Sequence, residues 1–536
     1  GSDVFFTFLV SNDLFRERLR LTRDSALSWP EFEQVQEQFL AGTFPPAIMA
    51  QFRSMLDYFG QAPIIVRSSS LLEDSFTSSF AGKYRSEFCA NQGDPEQRLT
   101  AFLRAVKLVY ASALNPDALS YRRSRGLGAS DEQMAILVQR VSGAPHGGLF
   151  FPSLAGVAFS RNLYAWSDRI DPSQGMIRLV FGLGTRAVER VGNDYPRMIP
   201  VSHPELRPEV GLKVVRYSQR HADVLDLEAN VFATLPVAEA LRRYTNTDVQ
   251  LLVSLVRDGH VSEPLGDLGP GEQELALTFN RLVQTTDFVP IVGEMLARLE
   301  RAYRLPVDTE FTAFVGPNGV RLNPVQCRPL RMPGAAESPP ALVELARDRT
   351  LFRSTRMIFG GVVRSIRYIL YIDAARYSGI RHRATKSAIG RVVGRINQHP
   401  AVVEGGIVMM GPGRWGSTNI DLGVSVGYGD IGNAAVLVEV AREEASHLPE
   451  LSYGTHFFQD LVEAEVVFLA LYPDDPGSEF NAPFLEKAPN ALTDLLPDAA
   501  DLEGLVTLID VPAAACGAHA HVVADSESRT AVCFLK

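Results

Sequence analysis

The most constraining feature of this 536-residue chain is an alternation of apolar and polar residues over residues 307–330, VDTEFTAFVGPNGVRLNPVQCRPL. The two arms flank the turn signal GPNG, a pattern that predicts an antiparallel β-hairpin. Residues two apart on a strand share a face, so Asp308 and Glu310 point the same way. Gln326 and Arg328 do the same on the partner strand. The hairpin therefore predicts two carboxylates, an amide oxygen and a guanidinium in one small volume.

This group of side chains has two interpretations. Carboxylate and amide oxygens suit Mg²⁺, which takes a few carboxylates together with phosphate and water. Arg328 would then meet phosphate oxygens beside the metal. The alternative is a cross-strand salt bridge in a surface hairpin.

A second polar feature, RSSSLLEDSFTSSFAGKYRSEF, begins at Arg67 directly after a short apolar stretch that predicts a buried strand. VRSSS offers a guanidinium, three hydroxyls and turn amides, which are the donors that a triphosphate needs. The alternative is a Ser-rich loop that satisfies its own backbone. Together the two features predict phosphate donors and a metal site on two separate lobes.

Length and composition indicate a soluble, multidomain protein. A chain this long cannot form one hydrophobic core and predicts about three domains. The net charge of −10 argues against a surface that coats nucleic acid or anionic membranes. No apolar run reaches the ~20 residues of a membrane helix. Four cysteines without a CxxC pair predict neither a disulfide framework nor a zinc site, so a reducing cytoplasm is the expected setting.

Periodicity divides the chain into helical and β-rich stretches. Residues 1–60 and 272–305 predict helices, and short strands dominate from Gly148. The segment RMPGAAESPPALVE, from residue 331, predicts a domain boundary. Beyond it we expect another α/β domain, in which RSIRYILYIDAARYSGI, from residue 364, predicts helices.

Six segments, in order, resemble a known family. VRSSSLLEDSFTSSFAGKY resembles the VRSSATAEDLPGASFAGQ region of the nucleotide-binding domain shared by phosphoenolpyruvate synthase, pyruvate phosphate dikinase and rifampin phosphotransferase. The others are ALSYRRSRG, MAILVQRV, LAGVAFSRN, VFGLGTRAVERVGNDYP and the hairpin. The resemblance implies an ATP-grasp fold of class α/β (α+β), with lobes at 1–140 and 141–332 closing on ATP and Mg²⁺. A separate α/β domain of unknown type would follow at 341–536.

The resemblance also implies roles for the polar strip. Arg67 would bind the triphosphate, with Ser68 and Ser69 in the phosphate loop. Gly82 would let the backbone of a flexible cover approach the ligand closely. Arg122 matches the arginine of the family's YR pair and would either reach phosphate or brace the lobe.

Further roles carried over fall on the second lobe and the hinge. Glu310 and Gln326 would hold Mg²⁺, and Arg328 would contact the transferred phosphates. Asp308 would act as a base or support a metal ligand. The residues from Gln139 to Val141 would form the hinge against adenine.

The chain also departs from the family. It begins downstream of the expected GGKG-like segment, whose lysine meets the phosphates, so the first lobe is expected to lack its first element. Neither a GxxTSHA phosphohistidine motif nor a pyruvate-binding barrel follows residue 330. Lys83 stands where the family often has Gln, and a longer turn widens the spacing between Glu310 and Gln326. Full pyruvate dikinase activity is therefore not expected.

The C-terminal region has candidate residues of its own. From Arg364 to Arg395 there are eight Lys or Arg and a single acid, Asp373. The following GGIVMMGPGRWGST combines glycines with Arg414, as anion-binding turns do, and predicts a site for a phosphate-bearing ligand or acceptor. A basic helix face against an acidic lobe, with a tight turn packed by Trp415, is the alternative.

Three histidines are candidate phosphoryl acceptors in place of the missing phosphohistidine domain. They are His456 in SYGTHFFQD, and His519 and His521 in CGAHAHVV. A structural role is the alternative for each, and metal ligation is a further one for the terminal pair.

These observations predict an ATP-dependent phosphotransferase, a dikinase-like kinase that passes phosphoryl from Mg-ATP to a histidine or an unidentified small-molecule acceptor. The alternative is a non-catalytic nucleotide-sensing module that signals through the C-terminal domain. A carboxylate ligase with an amine acceptor is a third interpretation. Neither nucleic acid nor membrane is an expected partner.

Overall fold

The computed structural model describes the chain except residues 24–28, 74–81, 125, 129–131, 163–165, 168, 190–193, 210, 247, 258–259, 265–273, 317–318, 331–348, 356–360, 418, 442–456, 458–460, 463, 465, 476 and 526–529. The chain forms two compact units. The first comprises residues 1–161, 173–188 and 193–330, and the second comprises residues 162–172, 189–192 and 331–536.

The helices of the first unit are α1 (Ser2–Ser11), α2 (Leu14–Arg23), α3 (Trp29–Ala41), α4 (Pro46–Phe59), α5 (Pro95–Ser112), α6 (Pro116–Ser124), α7 (Thr185–Val188), α8 (Lys213–Arg216), α9 (Val237–Arg243), α10 (Val249–Leu252), α11 (Asn280–Thr285) and α12 (Phe288–Tyr303). Its strands are β1 (Ile64–Ser69), β2 (Ser86–Cys89), β3 (Ala135–Arg140), β4 (Ala144–His146), β5 (Leu149–Phe151), β6 (Leu154–Phe159), β7 (Met176–Val180), β8 (Arg197–Pro200), β9 (His221–Asp226), β10 (Val231–Pro236), β11 (Val253–Arg257), β12 (His260–Ser262), β13 (Glu274–Leu277), β14 (Val307–Gly316) and β15 (Gly319–Pro329).

The helices of the second unit are α13 (Ala374–Gly379), α14 (Arg383–Gln398), α15 (Pro400–Gly405), α16 (Ala482–Lys487), α17 (Leu492–Leu495) and α18 (Val511–Ala514). Its strands are β16 (Thr350–Ser354), β17 (Gly361–Ile366), β18 (Tyr368–Tyr371), β19 (Ile407–Pro412), β20 (Val436–Val440), β21 (Val467–Leu471), β22 (Glu479–Phe480), β23 (Thr507–Asp510), β24 (Ala520–Asp525) and β25 (Thr530–Leu535). Short 3₁₀ helices cover Pro172–Gln174, Tyr428–Asp430 and Pro497–Leu502.

A three-stranded antiparallel sheet in the order β2-β1-β3 carries the polar strip. Ile64 and Val66 are fully buried, so Arg67 lies on the opposite face of β1. Helix α5 packs against β1 and β2. It begins with a capping box in which Asp94 and Gln97 exchange side-chain and backbone hydrogen bonds, an arrangement that stabilises a helix start by about 1 kcal/mol.

A five-stranded antiparallel sheet in the order β15-β14-β6-β7-β8 carries the hairpin. One face packs into an extensive apolar cluster of the first unit, which includes Leu154, Ile177 and Phe311. The other face holds a small cluster that includes Val157 and Ala187. Cross-strand neighbours share a face, and Glu310 pairs with Val157. The carboxylates therefore lie on the less covered face, next to α7.

The predicted hairpin and the predicted helices of residues 1–60 are confirmed, as β14–β15 and α1–α4. The helical prediction for residues 272–305 is wrong at its start, where β13 pairs with β11. The pairing is a tertiary contact that local periodicity does not report.

His146 is a buried titratable group of the first unit. Its ring lies 4.7 Å from that of Phe151 and 4.6 Å from that of Tyr244, and its Nδ1 is 3.0 Å from the hydroxyl of Thr245. Burial lowers the pKa of His146 below its ordinary value of 6.5. The unfolded chain therefore binds a proton at His146 more readily than the folded protein does. The free energy of unfolding accordingly falls as the pH drops from above 6.5 to below the lowered pKa of the folded state.

We expect the free energy of unfolding to fall less between about pH 7.5 and about pH 5.5 in the His146→Phe variant than in the parent. Urea unfolding at the two pH values measures the difference. His260→Phe, a change at an exposed histidine, is the control and should leave the pH dependence unchanged. Equal slopes in all three proteins would contradict the assignment to His146.

The second unit contains a sheet in the order β21-β20-β19-β18-β23, in which β18 to β21 are parallel and β23 is antiparallel to β18. All residues of β20 and β21 are buried, as in strands covered on both faces. A second sheet, antiparallel, has the order β17-β24-β25-β16-β22.

The helical prediction for RSIRYILYIDAARYSGI is wrong over its first half. Residues up to Ile366 end β17, residues Tyr368–Tyr371 form β18, and the helix α13 begins only at Ala374. An apolar run this short is equally compatible with a buried strand, and burial on both faces of the sheet decides for the strand. The predicted α/β fold class is confirmed.

Candidate functional site

The β14–β15 hairpin arranges its polar side chains as two cross-strand pairs, Asp308 opposite Arg328 and Glu310 opposite Gln326. Arg328 Nε lies 3.0 Å from both carboxylate oxygens of Asp308, and the two residues are 5% and 3% exposed. The Asp308 carboxylate is thus engaged in holding a buried guanidinium. This position favours support of Arg328 over a role as base.

The long sequence spacing between Glu310 and Gln326 does not move either residue out of its cross-strand pair. The register shifts after Glu310, so that Pro324 rather than Val325 lies opposite Phe311. A β-bulge at Val325 takes up the extra residue. The two oxygen-bearing side chains remain directly opposite each other.

Arg67 of β1 reaches this hairpin from the other sheet. Its Nη2 donates a hydrogen bond to Gln326 Oε1 and lies 3.9 Å from Glu310 Oε2. The side chains of Arg67 and Glu310 are partly exposed. The positively charged guanidinium of Arg67 thus contacts both expected metal ligands. Their carboxylate and amide oxygens are hard ligands of the kind that Mg²⁺ prefers.

The described residues contain no cluster of three or more His, Cys, Asp or Glu side chains that could bind a metal ion. Two protein ligands, Glu310 and Gln326, would leave the other positions of a bound Mg²⁺ to phosphate and water oxygens. That coordination is typical of Mg²⁺ in nucleotide sites.

The serines of the strip lie on two sides of β1. Ser68 lies on the face opposite Arg67 and donates to Glu73 at 2.7 Å. Glu73 also accepts from the backbone N–H of Ser70 at 2.9 Å. Ser69 is exposed on the face of Arg67. Ser68 therefore braces the turn in this structure, whereas Ser69 is available to a ligand.

A buried polar cluster supports this turn from inside the lobe. Glu132, 1% exposed, accepts hydrogen bonds from the hydroxyls of Ser70 and Tyr84. Burial, together with the Glu132 carboxylate, raises the pKa of Tyr84 well above its ordinary value. Arg122 is also buried and interacts electrostatically with Tyr84. Of the two roles expected for Arg122, the structure favours bracing the lobe.

Gly82 and Lys83 follow residues 74–81, which lie outside the described residues. Gly82 has a φ of 68°, a backbone conformation that glycine adopts at no steric cost. Lys83 is buried, with Nζ 5.5 Å from the ring centre of Tyr121.

The hinge expected to contact adenine connects β3 to β4. Gln139 pairs with Ile65 in β3, and Val141 follows the strand end. The N–H of Val141 donates to the carbonyl of Pro63 at 2.9 Å. Its side chain packs against a small cluster that contains Leu183.

Three polar residues that the sequence analysis did not single out lie next to this hinge. Ser142 Oγ and Thr312 Oγ1 are 2.7 Å apart, and Asn323 Nδ2 lies 3.3 Å from the first and 3.5 Å from the second. Thr312 shares the face of Glu310 by strand alternation. The sequence feature that could have indicated the register shift, and with it the position of Asn323, is Pro324, because proline inside a strand often marks a bulge or an edge.

The family described as "Pyruvate phosphate dikinase, AMP/ATP-binding domain" matches residues 1–348, which is more than half of the chain. The chain belongs to this pyruvate phosphate dikinase family. The predicted membership and the ATP-grasp type of fold are thereby confirmed.

Two curated relatives of this family are phosphotransferases. An uncharacterized phosphotransferase of Bacillus subtilis, YvkC, is 28% identical over 225 residues, which are 41% of this chain and 24% of the relative. A rifampicin phosphotransferase of Streptomyces sviceus is 29% identical over 141 residues, which are 26% of this chain and 14% of the relative. The matched part of the chain thus covers at most 24% of the length of these relatives.

The family segment VFGLGTRAV lies beside the site face of the hairpin sheet. Arg178 of β7 shares this face, since it is the cross-strand neighbour of Val157, and its Nε donates to the carbonyl of Ala187 in α7 at 2.8 Å. Arg186 of α7 forms buried ion pairs with Asp194 at 2.5 Å and Asp223 at 3.0 Å. Two buried arginines, Arg178 of β7 and Arg186 of α7, therefore hold the segment against the sheet.

The GPGRWGS turn follows β19 in the second unit, and Arg414 and Trp415 are both buried. Its amides are engaged within the unit. The N–H groups of residues 413, 414, 416 and 417 donate to the carbonyls of Val440, Leu422, Val424 and Arg414, and that of Trp415 donates to Glu439 Oε1 at 3.0 Å. An anion would therefore find the amides of this turn occupied, and the geometry favours the tight turn packed by Trp415.

Three of the eight basic residues between Arg364 and Arg395 form ion pairs within the second unit. Lys386 forms an ion pair with Asp421 at 2.8 Å, Arg395 with Asp498 at 2.7 Å and Arg367 with Asp510 at 2.8 Å. These contacts favour the basic helix face over a phosphate site.

The candidate acceptor His456 lies outside the described residues. His519 exchanges backbone hydrogen bonds with Lys536, and His521 stacks on Phe534 with ring centres 5.6 Å apart. Burial and the charge of Lys536 lower the pKa of His521. His521 lies in β24, and His519 directly precedes this strand. No helix in the described parts of the chain is long and apolar enough to span a bilayer.

Proposed function

We propose that the chain binds Mg-ATP between the two lobes of its first unit and transfers a phosphoryl group to an acceptor. One observation carries this proposal. Arg67 from the first sheet meets Glu310 and Gln326 of the hairpin, one rung away from Arg328. Membership of an AMP/ATP-binding family supports the choice of ligand.

The charges of the site match the needs of phosphoryl transfer, which depends on positioning and charge neutralisation. Arg67 and Arg328 would bind the phosphate oxygens, and Asp308 would hold Arg328 in orientation. Glu310 and Gln326 would hold Mg²⁺, which when bound neutralises phosphate charge. On ATP binding, Arg67 would exchange its contact with Gln326 for phosphate oxygens.

The acceptor is a histidine or a small molecule in this proposal. Its lone pair forms the new bond to phosphorus, and the electron pair of the broken P–O bond passes to the leaving oxygen of the nucleotide. The two arginines favour that leaving group because they stabilise its negative charge.

Calorimetric titration of Mg-ATP into the full chain and into Arg67→Ala and Glu310→Gln variants tests the site. We expect each variant to bind about 10- to 100-fold more weakly, since each loses charge-assisted contacts. The matched controls are Arg53→Ala and Glu96→Gln, which alter an exposed ion pair elsewhere in the first unit. They should bind as the parent does.

Unchanged affinity in the Arg67 and Glu310 variants would place the nucleotide elsewhere. Chromatography of the nucleotide after incubation then tests the chemistry. Release of ADP or AMP supports a transferase, whereas ATP that is bound and returned intact would leave the sensing module as the function.

A further inference from the structure

Arg197, in the edge strand β8, is a buried cation that forms no ion pair with the described residues. It is only 5% exposed. Its Nη1 donates a hydrogen bond to the carbonyl of Met198 at 2.8 Å, whereas its Nη2 lies 3.5 Å from the carbonyl of Pro204 and 3.4 Å from that of Leu206. Its Nε is buried and donates to none of the described residues. Because buried charges are normally paired, this guanidinium calls for a further acceptor.

Arg207 adds positive charge next to Arg197. Its side chain, 13% exposed, donates from Nη1 to Asn280 Oδ1 at 3.1 Å and from Nε to Glu209 at 3.4 Å. Glu209 and Glu263 stabilise the charge of Arg207, but neither forms a hydrogen bond with Arg197. Burial and the charge of Arg207 lower the pKa of Arg197 to about 9, and Glu209 offsets only part of this effect. Arg197 is therefore still protonated at neutral pH, beside a like charge.

The loop that follows β8 has a second unsatisfied polar atom. The Nδ1 of His203 is buried and has no hydrogen-bond partner in the part of the chain that the structure describes. His203 directly precedes Pro204, whose carbonyl lies near Arg197, and Arg207 fastens the same loop to Asn280 at the start of α11. Buried polar side-chain atoms usually have a partner. Two nitrogen atoms of one short segment, on different side chains, thus lack one.

These groups lie away from the proposed nucleotide site. The cross-strand row that contains Glu310 ends at Met198 in β8, so Arg197, one residue earlier, lies on the opposite face of the sheet. There it neighbours Leu179 of the apolar cluster. Strand β8 is also three strands away from β14, which is about 14 Å at about 4.8 Å per strand. Phosphates bound at Arg328 would therefore not reach Arg197.

We infer that Arg197 and Arg207 form an oxyanion site, which binds a phosphate or carboxylate group separate from the nucleotide. The planar donor fork of a guanidinium matches the oxygens of both groups. A bound oxyanion supplies the acceptor that Arg197 Nε lacks and neutralises the charge of the arginine pair. It also holds residues 201–209 against β8 and α11. Neither a cation nor a neutral ligand does this, and the inference does not depend on nucleotide binding.

Hydrogen exchange of the full chain, read by mass spectrometry of its peptides, tests the site with inorganic phosphate and with succinate at an ionic strength held constant by chloride. We expect amides of residues 197–207 to exchange about 3-fold more slowly at about 20 mM of at least one oxyanion, the effect of a Kd of about 10 mM. Arg197→Gln and Arg207→Gln should lose this protection. Arg298→Gln, at an exposed helical ion pair, and Arg67→Ala, at the proposed nucleotide site, should keep it.

Protection by phosphate alone would identify a phosphate-bearing ligand, and protection by succinate alone a carboxylate ligand. Three results would overturn the inference. They are no protection of the parent by either oxyanion, protection that persists in both glutamine variants, and protection that only Arg67→Ala removes, which would place the anion in the nucleotide site. Arg207→Gln changes the more exposed arginine and keeps the test decisive if Arg197→Gln does not fold. Circular dichroism of each variant shows whether it is folded.

Discussion

Replacing Asp308 with alanine is expected to lower the stability of the hairpin region by about 3–5 kcal/mol, because it leaves the buried Arg328 guanidinium without its carboxylate. Both side chains are almost completely buried, and Arg328 Nε donates a bifurcated hydrogen bond to the two carboxylate oxygens of Asp308. Hydrogen exchange of the β14 and β15 amides measures the change as a free energy of opening. No other ion pair of this sheet is expected to respond as strongly.

A double variant separates charge from packing at this position. Asp308→Ala combined with Arg328→Met removes both charges, and we expect it to regain much of the lost stability, since apolar replacement of a buried pair is often neutral. It should nevertheless bind Mg-ATP poorly, because Arg328 would contact phosphate. Glu294→Ala, which breaks an exposed helical pair with Arg298, should change stability by less than about 1 kcal/mol. Equal effects of Asp308→Ala and Glu294→Ala would contradict the assignment.

Gly413→Ala is expected to destabilise the second unit by about 2–5 kcal/mol, through left-handed backbone strain and a steric clash. Gly413 has a φ of 58°, and an added Cβ would lie 1.8 Å from the carbonyl oxygen of Leu422. Trp415, two residues on, is 0% exposed and reports the change, since its fluorescence shifts when water reaches the indole. Urea unfolding followed by this signal gives the midpoint.

Gly504→Ala is the matched control for this substitution. Nothing lies within 4 Å of an added Cβ at Gly504, and its φ is outside the left-handed region. We expect a change within about 0.5 kcal/mol there. A Gly413→Ala variant as stable as the control would show that the turn can open without cost, and the anion-binding interpretation of Arg414 would then regain support.

Local patterns predicted the hairpin site well, because a two-residue period on either side of a turn determines which side chains share a face. Asp308, Glu310, Gln326 and Arg328 needed no tertiary information to be placed together. The partner role of Arg67 came from the family resemblance, since Arg67 and Asp308 lie 241 positions apart in the chain. The bulge at Val325 and the three polar residues beside the hinge were missed, since register shifts depend on the partner strand.

The other differences between the roles predicted from the sequence and the contacts in the structure share one physical cause. Whether a polar group meets a ligand or the protein interior depends on what packs against it. Ser68 and Arg122 have the residue types of phosphate binders, yet Ser68 donates to Glu73, and Arg122 is buried and interacts electrostatically with Tyr84. The glycines of GPGRWGS likewise predicted free amides, and the neighbouring strand and loop occupy them.

The sequence by itself determined the family, the fold class of the first unit and the set of charges on the hairpin, since these follow from residue order and strand alternation. Only the tertiary structure decided that Arg67 lies against Gln326, that Asp308 is committed to Arg328, and that the glycine-rich turn of the second unit is closed. These outcomes depend on contacts between residues far apart in the chain. Their energies come from burial and pairing that no local window of sequence contains.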